Sequence, residues 1–326
     1  MSNPEAVNRR EAFVNLVEHD ETKTFLGLEE NGKAPFDIVI LPIPYEMTTS
    51  YREGTEFGPA ACIEASSQVE LHDELLPNNL PCGFKIHTSK PWVNDSPSLK
   101  KALTSIKKFT SPWMNGNQFP IVLGGEHGLL LPLVESMKVH PKINGELENL
   151  TILQVDAHAD LRDELNEERF SHGTVIRRSL EAGVGKVIQI GIRTYSSEEK
   201  EIMENDKRVK TWFARDLINT HSDLTNWRGM IDEIKNLNGP VWLTFDIDGL
   251  DGLLVPATGT PVPGGLSYWG AIEIIEALFS AVNAEVIGAD VNEICTSEGT
   301  NLTEFSAALI ATKILACHVA EKISIE

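Results

Sequence analysis

The chain is short of basic residues, of paired cysteines and of any address segment. It carries 28 lysines and arginines against 48 aspartates and glutamates in 326 residues, a formal net charge of -20. That balance argues against nucleic acid and anionic membrane surfaces as partners and favours a small cationic ligand. Only four cysteines occur, Cys62, Cys82, Cys295 and Cys317, widely spaced and without a CxxC pair. A zinc knuckle, a redox motif and a disulfide scaffold are therefore not expected, and the four read as packing thiols. The start, Met1-Ser2-Asn3-Pro4-Glu5, lacks the basic and apolar regions of a signal peptide, and no apolar run is expected to reach membrane-span length. A cytoplasmic location follows as the expectation. Low-complexity segments and fixed-period repeats are also missing.

What is present suffices for a substantial core, since 41% of the residues are hydrophobic. Residues 1–35 are polar and read as an N-terminal arm in which Glu11 to Glu18 could form a short helix. From Phe36 to the end, residues 36–326, one domain is expected. Phe36 to Pro42 is a buried-strand run, and Gly58-Pro59 opens a helix expected to reach about His72. Leu99, Ala102, Leu103, Ile106 and Phe109 recur at helical spacing after serines at 96 and 98, predicting a capped amphipathic helix that covers a sheet. Beyond it, strands at Phe119 to Leu123, Leu150 to Val155, Val187 to Gly191, Val241 to Phe245 and Glu285 to Ala289 alternate with helical segments. The helices are Leu129 to Met137, Ser197 to Glu204, Asp223 to Leu237, Tyr268 to Val282 and Leu302 to Ala320. Such alternation predicts a parallel sheet with helices on both faces, an α/β fold of three layers.

In folds of this kind ligands sit outside the carboxyl ends of the strands. The polar residues of the chain gather there, in Gly124-Gly125-Glu126-His127-Gly128, Asp156-Ala157-His158-Ala159-Asp160, Asp246-Ile247-Asp248-Gly249-Leu250-Asp251 and Asp290-Val291-Asn292-Glu293. If the chain stays extended past Val155, alternation puts Asp156, His158 and Asp160 on one side of the backbone. His127, Asp156, His158, Asp160, Asp246 and Asp248 then make six ligands, four of them carboxylates. That is too many for one ion with an open position and suits two ions sharing carboxylates. The mixed oxygen and nitrogen set favours Mn²⁺, with Ni²⁺ or Co²⁺ as alternatives. A hydroxide bridging ions roughly 3.5 Å apart would be a nucleophile at neutral pH.

These four motifs, together with Ile43-Pro44-Tyr45-Glu46, Gly58-Pro59-Ala60-Ala61 and Gly259-Thr260-Pro261-Val262-Pro263-Gly264-Gly265, resemble the ureohydrolase (arginase and agmatinase) family in the same order. The resemblance spans about Phe36 to the C-terminus. It implies a three-layer α/β/α fold of the arginase/deacetylase kind, with a central, mainly parallel sheet of about eight strands. It implies that His127, Asp156, Asp160 and Asp246 hold one manganese and Asp156, His158, Asp246 and Asp248 the other, two Mn²⁺ per chain. Ser171-His172-Gly173-Thr174 is similar to the agmatinase branch's substrate-loop histidine, and Glu293 matches the glutamate that pairs with the substrate guanidinium. Hydrolysis of a guanidino carbon to urea and an amine is the implied reaction. In it a hydroxide attacks, Asp160 orients it and relays its proton, and His172 assists proton transfer. The alternative for His172 is a cap on a helix beginning near Thr174. A trimeric or hexameric homo-oligomer is implied as well.

Between Asp160 and His172 the loop carries Asp163, Glu164, Glu167 and Glu168 against Arg162 and Arg169. Excess negative charge there would attract a terminal ammonium, so agmatine is expected over arginine, with Asp163 as a substrate contact. The same acids could instead be solvated lid charges. Gly128, Gly252, Ala257 and Asn292 depart from the family pattern, which keeps guanidine and guanidinobutyrate open as substrates. Two other classes also stay open: a non-catalytic metal-binding member, and a single-metal amidohydrolase on the deacetylase-like fold. His19, His72, His87, His140, His221 and His318 read as surface or packing residues.

Overall fold

A computed structural model describes residues 23–29, 34–218 and 224–325. Its centre is a single sheet of eight parallel strands: β1 (Ile38–Ile43), β2 (Ile86–Thr88), β3 (Phe119–Gly124), β4 (Thr151–Val155), β5 (Lys186–Ile192), β6 (Val209–Phe213), β7 (Asn238–Asp246) and β8 (Asn283–Asn292). Their spatial order is β2-β1-β3-β8-β7-β4-β5-β6. The four strands whose ends carry the polar motifs, β3, β8, β7 and β4, are therefore contiguous at the centre of the sheet. The N-terminal helix expected at Glu11 to Glu18, His19 and His221 lie outside the described residues.

The strands are apolar on both sides because both faces are covered. One face buries Ile38, Ile121, Leu153, Leu243 and Phe245 under α1 (Gly58–Ser66), α7 (Thr225–Lys235), α8 (Tyr268–Phe279) and α9 (Leu302–Ile325). The other buries Val39, Val122, Ile152, Val187 and Trp242 under α2 (Leu99–Thr110), α3 (Leu130–Ser136) and α4 (Val175–Ala182). Two short helices, α5 (Ser197–Asn205) and α6 (Ala214–Ile218), flank β6. Helix α5 begins with a capping box, Ser196 accepting from Glu199 N–H and Glu199 accepting from Ser196 N–H.

Several boundaries differ from expectation for local reasons. Helix α1 stops at Ser66, short of His72, because the Ser66 and Ser67 hydroxyls bond back to the Ile63 and Glu64 carbonyls. Ser98 occupies the cap of α2, yet its hydroxyl makes no capping bond. Helix α9 overturns the expectation of no span-length apolar segment: Leu302–Ser324, mean hydropathy 1.4, is long and apolar enough to cross a membrane by length and composition. Within the fold 78% of that window is buried, against α1 and α8, as in a core helix. Strand β8 runs on to Asn292, so Asp290 lies in the strand and not beyond it. A bulge at Ile287 shifts the register, pairing Val241 with Val286 but Trp242 with Gly288, and this sets Asp290 beside Thr244 and Asn292 beside Asp246.

Candidate metal centre and active site

The extended run expected at 156–160 ends early. Strand β4 stops at Val155, and Asp160 has φ 54° because its carbonyl turns to accept the N–H groups of Ile176 and Arg177 in the first turn of α4. The three side chains converge nonetheless, with Asp156 in the middle. His127 Nδ1 lies 3.2 Å from Asp156 Oδ2, 3.0 Å from Asp160 Oδ2 and 3.7 Å from Asp246 Oδ2. His158 Nδ1 lies 3.0 Å from Asp248 Oδ2 and 3.6 Å from Asp156 Oδ1. Two donor groups result, His127 with Asp156 and Asp160, and His158 with Asp156 and Asp248, sharing Asp156.

The donor chemistry fits two divalent cations. His127 Nδ1 is buried and makes no hydrogen bond, while its Nε2 lies 2.8 Å from Thr244 Oγ1, whose hydroxyl donates to Asp290 Oδ1 at 2.7 Å. The ring is thereby held with Nδ1 toward the carboxylates, the arrangement of a metal-ligating histidine. The negative charge is also in excess. Burial and the neighbouring Asp156 charge raise Asp160 to about 6. Burial, with Asp248, Asp156 and Glu293 around it, pushes Asp246 well above the carboxylate range. Asp156 is buried too, but the two imidazoles beside it hold it low. Dications are what such a cluster lacks.

Close backbone approach shapes the site. A Cβ at Gly125 would collide with the Tyr45 carbonyl oxygen, so this glycine lets the β3 end lie against the chain leaving β1. The half-buried Arg193 guanidinium donates to the carbonyls of Asp248 (2.7 Å), Leu250 (3.0 Å) and Val262 (2.7 Å), tying the Asp248 turn to the Pro-Val-Pro-Gly-Gly loop. A row of amides reaches Asp156 from the sheet edge: Thr211 Oγ1 donates to Gln189 Oε1 (2.9 Å), Gln189 Nε2 to Gln154 Oε1 (2.7 Å), and Gln154 Nε2 to Asp156 Oδ2 (2.8 Å). Sequence reasoning passed over Gln154, Gln189 and Arg193. For the two glutamines the available signal was a polar side chain inside a buried strand, Gln154 standing two residues before Asp156; Arg193, just past the end of β5, carried none.

Above the donor groups is a cavity of about 220 Å³, lined by His127, His158, Asp160, Asp246, Asp248, His172 and Glu293, with Asp156 beneath it. Glu293, at φ 61°, accepts the His127 N–H through Oε1 at 2.7 Å, and its own N–H donates to the Gly125 carbonyl. Burial, and the Glu126 charge, raise its carboxyl to about 7. His172 does not cap α4, whose cap position is Thr174; its ring faces the cavity, Nδ1 3.4 Å from Glu126 Oε1. Burial lowers the basicity of this imidazole, but the Glu126 bond and the Glu293 charge raise it to about 9. Gly128 packs against the Tyr45 ring, and Asn292 Nδ2 donates to Asp290 Oδ1.

Asp163 is not brought to the cavity. Its carboxylate lies 3.2 Å from Arg169, 3.5 Å from Arg177 and 2.8 Å from Arg178, so those arginines, and not a ligand, meet its charge. The outer wall is formed by Thr49, Ser50, Tyr51, Arg52, Arg162 and Leu165. The cysteines are unpaired, and His318, His87 and His140 sit in packing positions, His318 stacked 3.9 Å from Phe119.

A sequence profile of the Arginase family matches residues 36–318. An N(1)-aminopropylagmatine ureohydrolase of Synechocystis sp. is 35% identical over 300 residues, 90% of this chain and 93% of that one. An agmatinase of Pyrococcus horikoshii is 34% identical, covering 83% and 88%. Among solved structures, a hypothetical agmatinase from Burkholderia thailandensis superposes with a TM-score of 0.79 at 24% identity, covering 92% of each chain. The agmatine ureohydrolase of Thermoplasma volcanium gives 0.74 at 23% identity, covering 97% and 99%.

Proposed function

From the premise that this chain belongs to the arginase family, and is a hydrolase of guanidino compounds, we propose that it converts agmatine and water to putrescine and urea at a two-manganese centre. The observation that carries this reading is the pair of donor groups sharing Asp156, with the Glu293 carboxylate on the wall of the same cavity. His127, Asp156, Asp160 and Asp246 would hold one ion, and Asp156, His158, Asp246 and Asp248 the other. Bound there, two divalent ions supply acidified water at neutral pH and stabilise developing negative charge.

The chain's own groups do the rest. Glu293 Oε1 is engaged by the His127 N–H, which leaves Oε2 to accept guanidinium N–H groups. A planar fork of donors facing a fixed carboxylate holds the guanidino carbon in one orientation. Asp160 accepts one proton of the attacking water and passes it to the departing nitrogen, which needs a second to leave charged. With Nδ1 of His172 turned to Glu126, Nε2 is the nitrogen that delivers a proton to the departing amine, which leaves as an ammonium.

Support for agmatine comes from the names of the relatives, two of which act on agmatine or its aminopropyl derivative. A second reading, with no tail as in guanidine or an anionic one as in guanidinobutyrate, is favoured by Arg52 on the outer wall and by the outward pairing of Asp163, while Arg162 there lies 3.7 Å from Glu199. Urea release from agmatine, arginine, guanidinobutyrate and guanidine, each with Mn²⁺ and with Ni²⁺, separates the two. Agmatine as the best substrate supports the first, and a guanidino acid or guanidine the second. No urea from any substrate by protein loaded with two ions would overturn both. The proposal includes a cytoplasmic homo-oligomer, trimer or hexamer; unpaired cysteines suit that reducing compartment.

A further inference from the structure

Glu126 is fully buried, and both of its carboxylate oxygens are engaged. Oε2 accepts the N–H groups of Met47 and Thr48, each at 2.7 Å. Oε1 accepts the Thr48 hydroxyl and lies 3.4 Å from His172 Nδ1. The Thr48 hydroxyl oxygen also accepts the His172 N–H at 3.2 Å. One carboxylate thus joins three segments: the end of β3, the loop after β1 that supplies Thr49, Ser50, Tyr51 and Arg52 to the cavity wall, and the turn that carries His172. A buried carboxylate costs several kcal/mol unless its acceptor capacity is filled, which happens here only when the loop and the histidine are both in place.

We propose that Glu126 is a positioning residue that locks the 47–52 loop and His172 to each other, fixing the substrate wall and the proton-carrying ring together. This rests on the reading of His172 as the proton carrier. The two oxygens divide the work. Oε2 holds the loop through main-chain N–H groups, and Oε1 orients the imidazole by accepting from Nδ1, which directs Nε2 to the cavity. A neutral amide in place of the carboxylate can keep the first function, its oxygen accepting the two N–H groups. Its NH₂ then faces Nδ1 as a donor, which reverses the hydrogen bond and forces the other tautomer.

The test is Glu126→Gln in the metal-loaded enzyme, read four ways: metal content, KM, kcat against pH, and site-resolved carbethoxylation of His172 by diethyl pyrocarbonate. We expect two ions per chain, KM within about threefold, and kcat down at least about tenfold, part of the roughly 10²–10⁴-fold that a well-placed general acid supplies. The half-maximal pH of His172 modification should fall by at least about one unit, the effect of losing one adjacent charge. Unchanged kcat with an unchanged modification profile would overturn the proposal. So would metal loss in step with activity, because Glu126 would then be serving the adjacent His127. If E126Q is insoluble, Thr48→Val removes the hydroxyl bridge and should raise KM and shift the same profile; no change in either overturns the proposal. His172→Asn isolates the underlying reading: full turnover by that variant refutes proton carrying, while the modification profile of E126Q still reports on positioning.

Discussion

Replacing Glu293 by Gln removes one charge and almost no volume, so its effect isolates the grip on the guanidinium. The Gln oxygen can still accept the His127 N–H that Oε1 now accepts, and the main-chain bonds at 293, to the Gly125 carbonyl and from the Thr258 hydroxyl, do not involve the side chain. The metal ligands should therefore stay in place. What is lost lies on the Oε2 side, where an NH₂ would face the guanidinium's own donors. Removing one partner of a buried hydrogen-bonded charge pair costs about 2–5 kcal/mol, and the retained shape argues for the middle of that range, about 3 kcal/mol. That is roughly a 150-fold fall in kcat/KM. The pH profile should change too. Burial raises the Glu293 carboxyl to about 7, and the ionised form is the one that binds, so kcat/KM should rise with pH through a midpoint at or below that value. In the variant this acid limb should disappear. The assay is urea release against substrate concentration from pH 5 to 9, with metal content measured on the same samples. A kcat/KM within about threefold of the parent enzyme, with two ions bound, would refute the assigned grip.

Loading the metal-free protein should release protons. His158 is half-buried, which lowers its basicity, but the charge of Asp248 raises it to about 12 from an ordinary 6.5; His127 is fully buried, but the adjacent Asp156 and Asp160 carboxylates raise it as well. Both must deprotonate to ligate, so apparent metal affinity should climb with pH by about tenfold per unit for each proton displaced. The same shift gives a sign for stability: without metal, the His158 contribution is full below 6.5 and is lost progressively as pH rises toward 12. The melting temperature of the stripped protein should therefore fall between pH 7 and 10 while that of the loaded protein holds; a parallel fall in both would refute this. Gln154→Leu should weaken metal binding by about 10–100-fold in a chelator competition, since the amide orients Asp156, and an unchanged affinity would show that it does not. Asp163→Asn should leave the KM for agmatine within about threefold, because Arg169, Arg177 and Arg178 and not the cavity receive its charge. A tenfold rise, by about 1.4 kcal/mol, would restore a substrate role to Asp163.

The six strands legible in the sequence are the six interior ones. Both strands that escaped notice, β2 and β6, are the edges of the sheet. An edge strand is not sandwiched along its length, and Ile86-His87-Thr88 and Val209-Lys210-Thr211-Trp212-Phe213 accordingly lack the apolar runs that mark the interior. The proposed metal ligands were legible because His and Asp at strand ends have few other reasons to cluster. Glu126 was not, since in sequence it is one more acid in an acidic chain, and only the approach of Met47, Thr48 and His172 from two distant segments gives it a task. Asp163 shows the converse. Its sign and its place near His172 suggested a ligand contact, but charge in a sequence carries no direction, and the folded loop turns it toward arginines on α4.

The amide row from Thr211 to Asp156 has a polarity. Gln154 and Gln189 each present oxygen toward the sheet edge and nitrogen toward the centre, and the only member unable to donate when ionised is Asp156 at the inner end. Its charge, with the main-chain carbonyls of His158 (3.2 Å from Gln154 Nε2) and Ala159 (2.7 Å from Gln189 Nε2), fixes how both amides point and requires the Thr211 hydroxyl at the outer end to act as a donor. Neutralising Asp156 alone would not turn the glutamines over, because a reversed amide would set its oxygen against the His158 or Ala159 carbonyl. Thr211 sits half-buried on the edge strand, so the donor order fixed at the centre of the sheet ends in a hydroxyl proton of fixed direction at its rim.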